Sequence, residues 1–360
     1  MIYFLINNNY HFYDLELLIK DSEFECALIQ VPHTLAIVTE NPRYSKIYNF
    51  EYFYKGFLSL FNFKKISKIH KQVDIEIKVH KEDVLFVYSD YEILNQYIIA
   101  KFKKAGCKVY ILEDGLATAL VYNLTTKPLP FKQRLELLIF RYLLGYSYTE
   151  MVFENENYYP VINDQYVDGV CFYLETKIKR NIPIYYLKNN TKRLEHLQDN
   201  VAVFLNQDTY LFDQSEESYF EDLQLIFSQI SKNFSKIIFK FHPRETEEKK
   251  KQIKLALNNY VNIEYIENKI AVEDLIRSIN PKYAISYYSS SLKNLFFLGV
   301  EPVFIYHLLP SISNNEFSII LTKYLTNLNY TFLNSFEELS PKYNTNLSMV
   351  AVTNQLKDLI

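Results

Sequence analysis

Short apolar runs alternate with amphipathic stretches along the whole chain, and their spacing predicts alternating strands and helices. Ile2–Ile6 is an unbroken apolar run that stops at Asn7-Asn8-Asn9, which predicts a buried strand feeding a polar loop. Phe12–Ile19 reads as a helix, and CALIQVP (Cys26–Pro32) and TLAIVTE (Thr34–Glu40) read as strands. DVLFVYS (Asp83–Ser89) and CKVYILEDG (Cys107–Gly115) are two further strands. The helical stretch Tyr91–Gly106 lies between them, with Gly106 placed to stop it. Strand, helix and strand with a short return form the βαβ unit of a parallel sheet.

The second half repeats that logic. Asn200–Asp208 is a new first strand, followed by an amphipathic helix over Ser215–Phe234 with Ser215 as N-cap and acids in the first turn. Ser235–Glu245 is the next strand and Glu247–Asn259 the next helix. NIEYIE, the helix VEDLIRSI, YAISYYSSS, the helix SLKNLFFLG and EPVFIYH continue the alternation. The pattern predicts an α/β protein of two halves joined near Tyr185–Asn200. The expected division is a first domain over 1–190, a second over 191–345, and a C-terminal helix over 346–360 that packs back on the first. Such alternation fits many enzymes and fixes fold class alone.

A length of 360 residues suits two domains, and 49% hydrophobic with 22% charged residues is the balance of a soluble globular chain. The formal charge of −3 argues against a nucleic-acid binder, which needs a basic excess to neutralise phosphates. Cys26, Cys107 and Cys171 are isolated, without zinc spacing or a disulfide framework, and read as buried thiols of a reducing compartment. The N-terminus lacks a basic leader region, and no uncharged stretch approaches the roughly 18 to 20 residues of a membrane span, so a cytoplasmic protein is expected. Tyr (32) and Phe (27) carry all the aromatic content, since Trp is absent. Two strips, Tyr52–Lys71 and Phe131–Tyr148, mix aromatics with lysines or arginines. They read as helices with a buried aromatic face or, with a lipid-linked acceptor, as interfacial helices.

Four clusters carry candidate chemistry. Glu113-Asp114-Gly115 closes a strand, where open parallel sheets bind ligands. A carboxylate there can act as a general base, or simply cap the next helix. His242-Pro243 closes a strand of the second half, with Lys240 on the same strand face and Arg244 alongside. The imidazole can donate to a leaving phosphate, or be a turn histidine. Ser289-Ser290-Ser291 sits at a strand-to-helix junction and offers hydroxyls to a phosphate, or an ordinary N-cap. Glu273 opens a helix, where it can take ribose hydroxyls or serve the helix dipole.

An acid-Asp-Gly in the first half, a His-Pro in the second and a serine cluster beyond it resemble the bacterial sialyltransferases of the lipooligosaccharide and capsular polysialic-acid types. The resemblance spans Glu113 to Ser291 and implies a GT-B fold, two Rossmann-like domains facing across a cleft whose closure assembles the site. It implies an inverting, metal-independent transfer from CMP-sialic acid to a glycan acceptor, with no other cofactor. Asp114 would be the base, with Glu113 and Gly115 beside it, and His242 the donor to the departing phosphate. Lys240, Pro243, Arg244 and the three serines would surround that phosphate, and Glu273 would bind the ribose. A homodimer and a peripheral contact with the inner membrane are compatible with this picture. The rival readings are transfer of another CMP-sugar such as Kdo, a UDP-sugar epimerase or transferase, and a non-catalytic scaffold of the same fold. An oxidoreductase is disfavoured, since no G-x-G-x-x-G follows any strand. Scattered cysteines and histidines disfavour a cysteine or zinc hydrolase.

Overall fold

All five residues of β1 (Ile2–Ile6) are buried, and the strand has a parallel partner on each side, β2 (Cys26–Gln30) and β4 (Val84–Val87). A continuous apolar run is what a strand covered on both faces requires. The computed structural model describes residues 1–20, 23–32, 37–51, 63–90, 92–121, 131, 135, 162, 164–211, 213–268, 270–340, 342–347 and 355–360. The chain divides into two units, Met1–Asn190 with Ala351–Ile360, and Thr191–Val350.

The first unit holds a seven-stranded parallel sheet in the order β3-β2-β1-β4-β5-β6-β7. Its other strands are β3 (Tyr44–Asn49), β5 (Lys108–Leu112), β6 (Gly169–Phe172) and β7 (Ile184–Tyr186). The helices are α1 (Asn9–Leu18), α2 (Phe63–Glu76), α3 (Ile93–Lys104) and α4 (Gly115–Val121). The second unit has the order β10-β9-β8-β11-β12. These strands are β8 (Gln198–Leu205), β9 (Lys236–Lys240), β10 (Ile263–Ile266), β11 (Pro281–Ser286) and β12 (Glu301–Phe304). Its helices are α5 (Glu216–Asn233), α6 (Glu247–Ala256), α7 (Val272–Ile279), α8 (Ser291–Phe297) and α9 (Glu316–Asn327). In each sheet the first strand of the unit sits centrally and the order reverses beside it, which is the Rossmann topology. The switch points fall between β1 and β4 and between β8 and β11.

The helix signals hold closely. Ser215 caps α5 by accepting the Ser218 N–H at 3.1 Å, and Gly106 ends α3 with φ of 85°. The strand expected over Thr34–Glu40 is a correction. Residues 37–40 are irregular, and the third strand comes later, at Tyr44–Asn49. The reason is a side chain. The Gln30 amide accepts the Val38 N–H (3.0 Å) and donates to the Val38 carbonyl (2.7 Å), so it satisfies backbone groups that would otherwise need a ladder partner. Helix α1 also starts a turn earlier than expected, because Asn8 caps it.

From Phe63 onward, the first aromatic-lysine strip is α2. It buries Ile66, Ile69, His70 and Val73 and leaves Lys64, Lys65, Lys68 and Lys71 exposed. Residues 52–62 lie outside the described residues, as does the Phe131–Tyr148 strip except for exposed Phe131 and Leu135. In the 346–360 tail the described secondary structure is a 3-10 turn, Leu356–Leu359. The three cysteines are free and buried, and burial pushes their thiols up, Cys107 to about 11 and Cys26 to about 12.

Gly169 is a close-approach glycine. A Cβ there would stand 2.3 Å from Tyr185 Cε2 and 3.0 Å from the Pro183 carbonyl oxygen. Gly169→Ala is expected to lower stability by about 1–3 kcal/mol, by prising β7 from β6. Thermal unfolding measures this. An unchanged midpoint would mean that the Tyr185 ring swings aside freely.

Candidate functional site

Polar side chains gather at the carboxyl ends of both sheets. In the first unit Asp114 follows β5, and Gly115, at φ of 54°, turns the chain directly into α4. The Asp114 N–H donates to Thr118 Oγ1 at 2.7 Å, which fixes the backbone of the turn. Glu113 and Asp114 then diverge. Glu113 is 1% exposed, and its carboxylate accepts the Tyr173 N–H at 3.0 Å, tying the end of β5 to that of β6. Its side chain faces inward. The Asp114 side chain keeps 19% of its surface exposed and lies 3.0 Å from His11 Nε2 through Oδ1.

His11 was not among the residues expected at this site. It stands in the first turn of α1, where Asn8 accepts its N–H at 2.9 Å. Its ring stacks on Tyr88, which follows β4, with centroids 4.4 Å apart. Below the pair, Asp14 accepts the hydroxyls of Tyr88 (2.8 Å) and Tyr173 (2.8 and 2.9 Å). Burial, with the Asp14 carboxylate beside them, holds both phenols well above the usual tyrosine range. The cluster therefore draws on the ends of β1, β4, β5 and β6.

In the second unit His242 follows β9 in a turn closed by the Glu245 N–H on the His242 carbonyl at 3.1 Å. Exposed Pro243 occupies that turn. Asp208, which follows β8, is buried and anchors the group. Arg244 grips it with a fork, Nε to Oδ2 at 2.8 Å and one terminal nitrogen to Oδ1 at 2.9 Å. His242 Nδ1 lies 3.4 Å from Asp208 Oδ2 and accepts the Arg244 N–H at 3.4 Å. In the neutral imidazole this backbone donor leaves the ring proton on Nε2. In the cation Asp208 takes the Nδ1 proton. Nε2 is a donor in both states. Burial lowers the His242 pKa, and Asp208 opposes the shift.

Lys240 is buried at the end of β9, which lowers its pKa, while nearby Glu273 opposes that shift. Glu273 opens α7, accepts from Asn294 at 3.5 Å and has its own pKa raised by burial. Lys240 and Glu273 are thus electrostatic neighbours. Of the serines, Ser289 Oγ accepts the Ser291 N–H at 3.3 Å, and exposed Ser290 sits at the cap position of α8 with no side-chain capping bond. Gln207 bridges the switch point, accepting the Tyr288 N–H at 2.8 Å and the Ser286 hydroxyl at 3.3 Å. Gln207 and Asp208 were also missed by sequence reasoning. Among the described residues no group of three or more His, Cys, Asp or Glu is arranged to hold a metal ion.

Glu245 shares this turn. It accepts the His242 N–H at 3.0 Å and a hydrogen bond from Asn206. Burial outweighs these bonds and raises its carboxyl from an ordinary 4.5 to about 7, with Asp208 adding and Lys250 opposing. The folded state therefore holds this proton more tightly than the unfolded chain. The resulting stabilisation is complete below about 4.5 and is lost as pH rises through about 7. Glu245→Gln keeps a neutral side chain of the same shape and is expected to flatten stability across that window. Urea midpoints against pH check this, and a wild-type slope in the variant would assign the effect to another group.

Two Rossmann-type sheets in one chain, each with a polar cluster at its carboxyl ends, are the architecture of GT-B glycosyltransferases. The chain belongs to the alpha-2,8-polysialyltransferase family, whose model matches residues 4–297, a stretch that includes Asp114, His242 and the serines. It is thus a glycosyltransferase of the sialyltransferase type. No curated protein matches it. Solved structures that it resembles include the UDP-GlcNAc 2-epimerase of Methanocaldococcus jannaschii, with 16% identity and a TM-score of 0.49, covering 97% of this chain and 95% of that one. Acinetobacter baumannii MurG has 10% identity and a TM-score of 0.44, over 95% and 87%. The spinosyn forosaminyltransferase SpnP has 8% identity and a TM-score of 0.49, over 94% and 87%. At such identities and scores none of their chemistry carries over. Among the described residues no helix is long and apolar enough to cross a membrane.

Proposed function

We propose that this chain is an inverting, metal-independent sialyltransferase that moves sialic acid from CMP-sialic acid to a hydroxyl of a sialic acid-terminated glycan. The observation that carries this reading is the family match across residues 4–297, together with the division of labour between two adjacent acids. Glu113 is buried in the fold, while Asp114 stays accessible at a strand end. Asp114 accepts the proton of the acceptor hydroxyl as a general base. The acceptor oxygen bonds to the anomeric carbon of the donor, and the bond from that carbon to the phosphate oxygen breaks. Its electron pair stays on the phosphate of CMP. His242 Nε2–H donates to that oxygen, and Arg244, Lys240 and the Ser290 hydroxyl supply the surrounding field and donors. Glu273 is the candidate for the ribose hydroxyls.

Calorimetry of the purified protein with CMP, UMP, GMP and ADP, with and without added divalent cation, tests the donor class. Selective CMP binding that needs no cation supports the reading. A preference for uridine nucleotides overturns it. Transfer from CMP-sialic acid to an oligosialic acid acceptor then tests the reaction itself.

A further inference from the structure

We infer that His11 is a positioning residue for the general base, fixing which oxygen of Asp114 meets the acceptor. The inference rests on the assignment of Asp114 above. The imidazole is 1% exposed, so it does not reach a bound glycan itself. Both of its nitrogens are engaged. Nδ1 accepts the Asn7 N–H at 3.1 Å, which places the ring proton of the neutral imidazole on Nε2. Nε2 has two neighbours at 3.0 Å, Asp114 Oδ1 and the amide nitrogen of Asn8. The Asn8 oxygen is committed to the His11 N–H as the cap of α1, so its nitrogen is what faces the ring. Asp114 is therefore the acceptor of the Nε2 proton.

The ring cannot easily turn away from this arrangement. Tyr88 stacks on it at an interplanar angle of 9°, and Tyr88 is itself held by the buried carboxylate of Asp14, which Tyr173 also reaches. With Oδ1 pinned, rotation of the Asp114 carboxylate is stopped and Oδ2 is the oxygen presented for proton transfer. A base left free to rotate spends most of its time out of line with the hydroxyl, and a misplacement of about 1 Å can reduce the rate on the order of 100-fold.

Four variants of the full chain test this, with CMP-sialic acid as donor and an α2,8-linked oligosialic acid as acceptor, and with folding checked by circular dichroism melting. His11→Phe keeps the stack on Tyr88 and removes the donor. It is expected to lower kcat on the order of 100-fold with both KM values unchanged. His11→Gln offers a terminal N–H at similar reach and is expected to recover most of that loss. Asp114→Asn is expected to slow transfer by about 10²- to 10⁴-fold by itself, and His11→Phe with Asp114→Asn should be no slower than Asp114→Asn alone. The inference is overturned if His11→Phe keeps wild-type kcat, if His11→Gln is as slow as His11→Phe, or if the loss appears in KM alone. Near-wild-type turnover by Asp114→Asn would instead remove the base assignment. The two failures are thus told apart by which single variant stays active.

Discussion

Asp114→Asn will leave CMP affinity intact and slow glycan transfer by about 10²- to 10⁴-fold, the range for removing a general base. The substitution keeps an oxygen for His11 Nε2 and keeps the backbone bond to Thr118, so the turn into α4 stays as it is. What it removes is the capacity to take a proton. Without that capacity the acceptor hydroxyl attacks as a neutral nucleophile. Because Asp114 belongs to the first unit and the proposed nucleotide cluster around His242 to the second, nucleotide binding and turnover are expected to separate in the measurement. Calorimetry with CMP and initial rates at saturating donor and acceptor give the two numbers. Parallel loss of both would point to a folding defect, and retention of both would take the proton from Asp114 and give it to another group.

His242→Ala will lower the rate by about 10²- to 10³-fold, the usual effect of removing one donor aimed at developing charge. The expectation follows from the ring's orientation. The Arg244 N–H donates to Nδ1 and leaves the proton of the neutral ring on Nε2, while in the cation Nδ1 faces Asp208 and Nε2 is again a donor. The fold should survive the change, since the contact that closes the turn around His242 is made by its backbone carbonyl. His242→Gln retains a donor and should lose less than His242→Ala. If the two variants are equally slow and CMP binding falls with them, the ring holds the nucleotide and does not assist departure.

Both Rossmann units were legible in the sequence because their central strands are covered on two faces and so read as unbroken apolar runs. The edge of the first sheet was not. Strand β7 is three residues long and only half-buried, and β3 is mostly exposed, so neither carries that signal. Thr34–Glu40 carried a strand-like pattern, but the Gln30 amide occupies the backbone of Val38. The chemistry divides in the same way. Asp114 and His242 were visible because each sits in a short local motif at a strand end. His11, Gln207 and Asp208 touch residues 103, about 80 and about 35 positions away, and no spacing rule reports that. A faint signal for His11 existed in the Asn7-Asn8-Asn9 run, where a capping asparagine places the third following residue in the first turn of a helix. For the adjacent acids, the side that faces inward is set by the Tyr173 N–H, which only the folded sheet brings near.

The first unit is discontinuous, since Ala351–Ile360 belong to it while Thr191–Val350 form the other. During synthesis the sheet of β1 to β7 emerges long before the segment that supplies buried Leu356 and Leu359. Domains generally fold as they leave the ribosome, N-terminal first. Here the first unit to begin gains its last residues only after Thr191–Val350 of the other has been made. The two units thereby gain an ordering in time: the half that carries Asp114 takes up Leu356 and Leu359 only after the half that carries His242 has been translated.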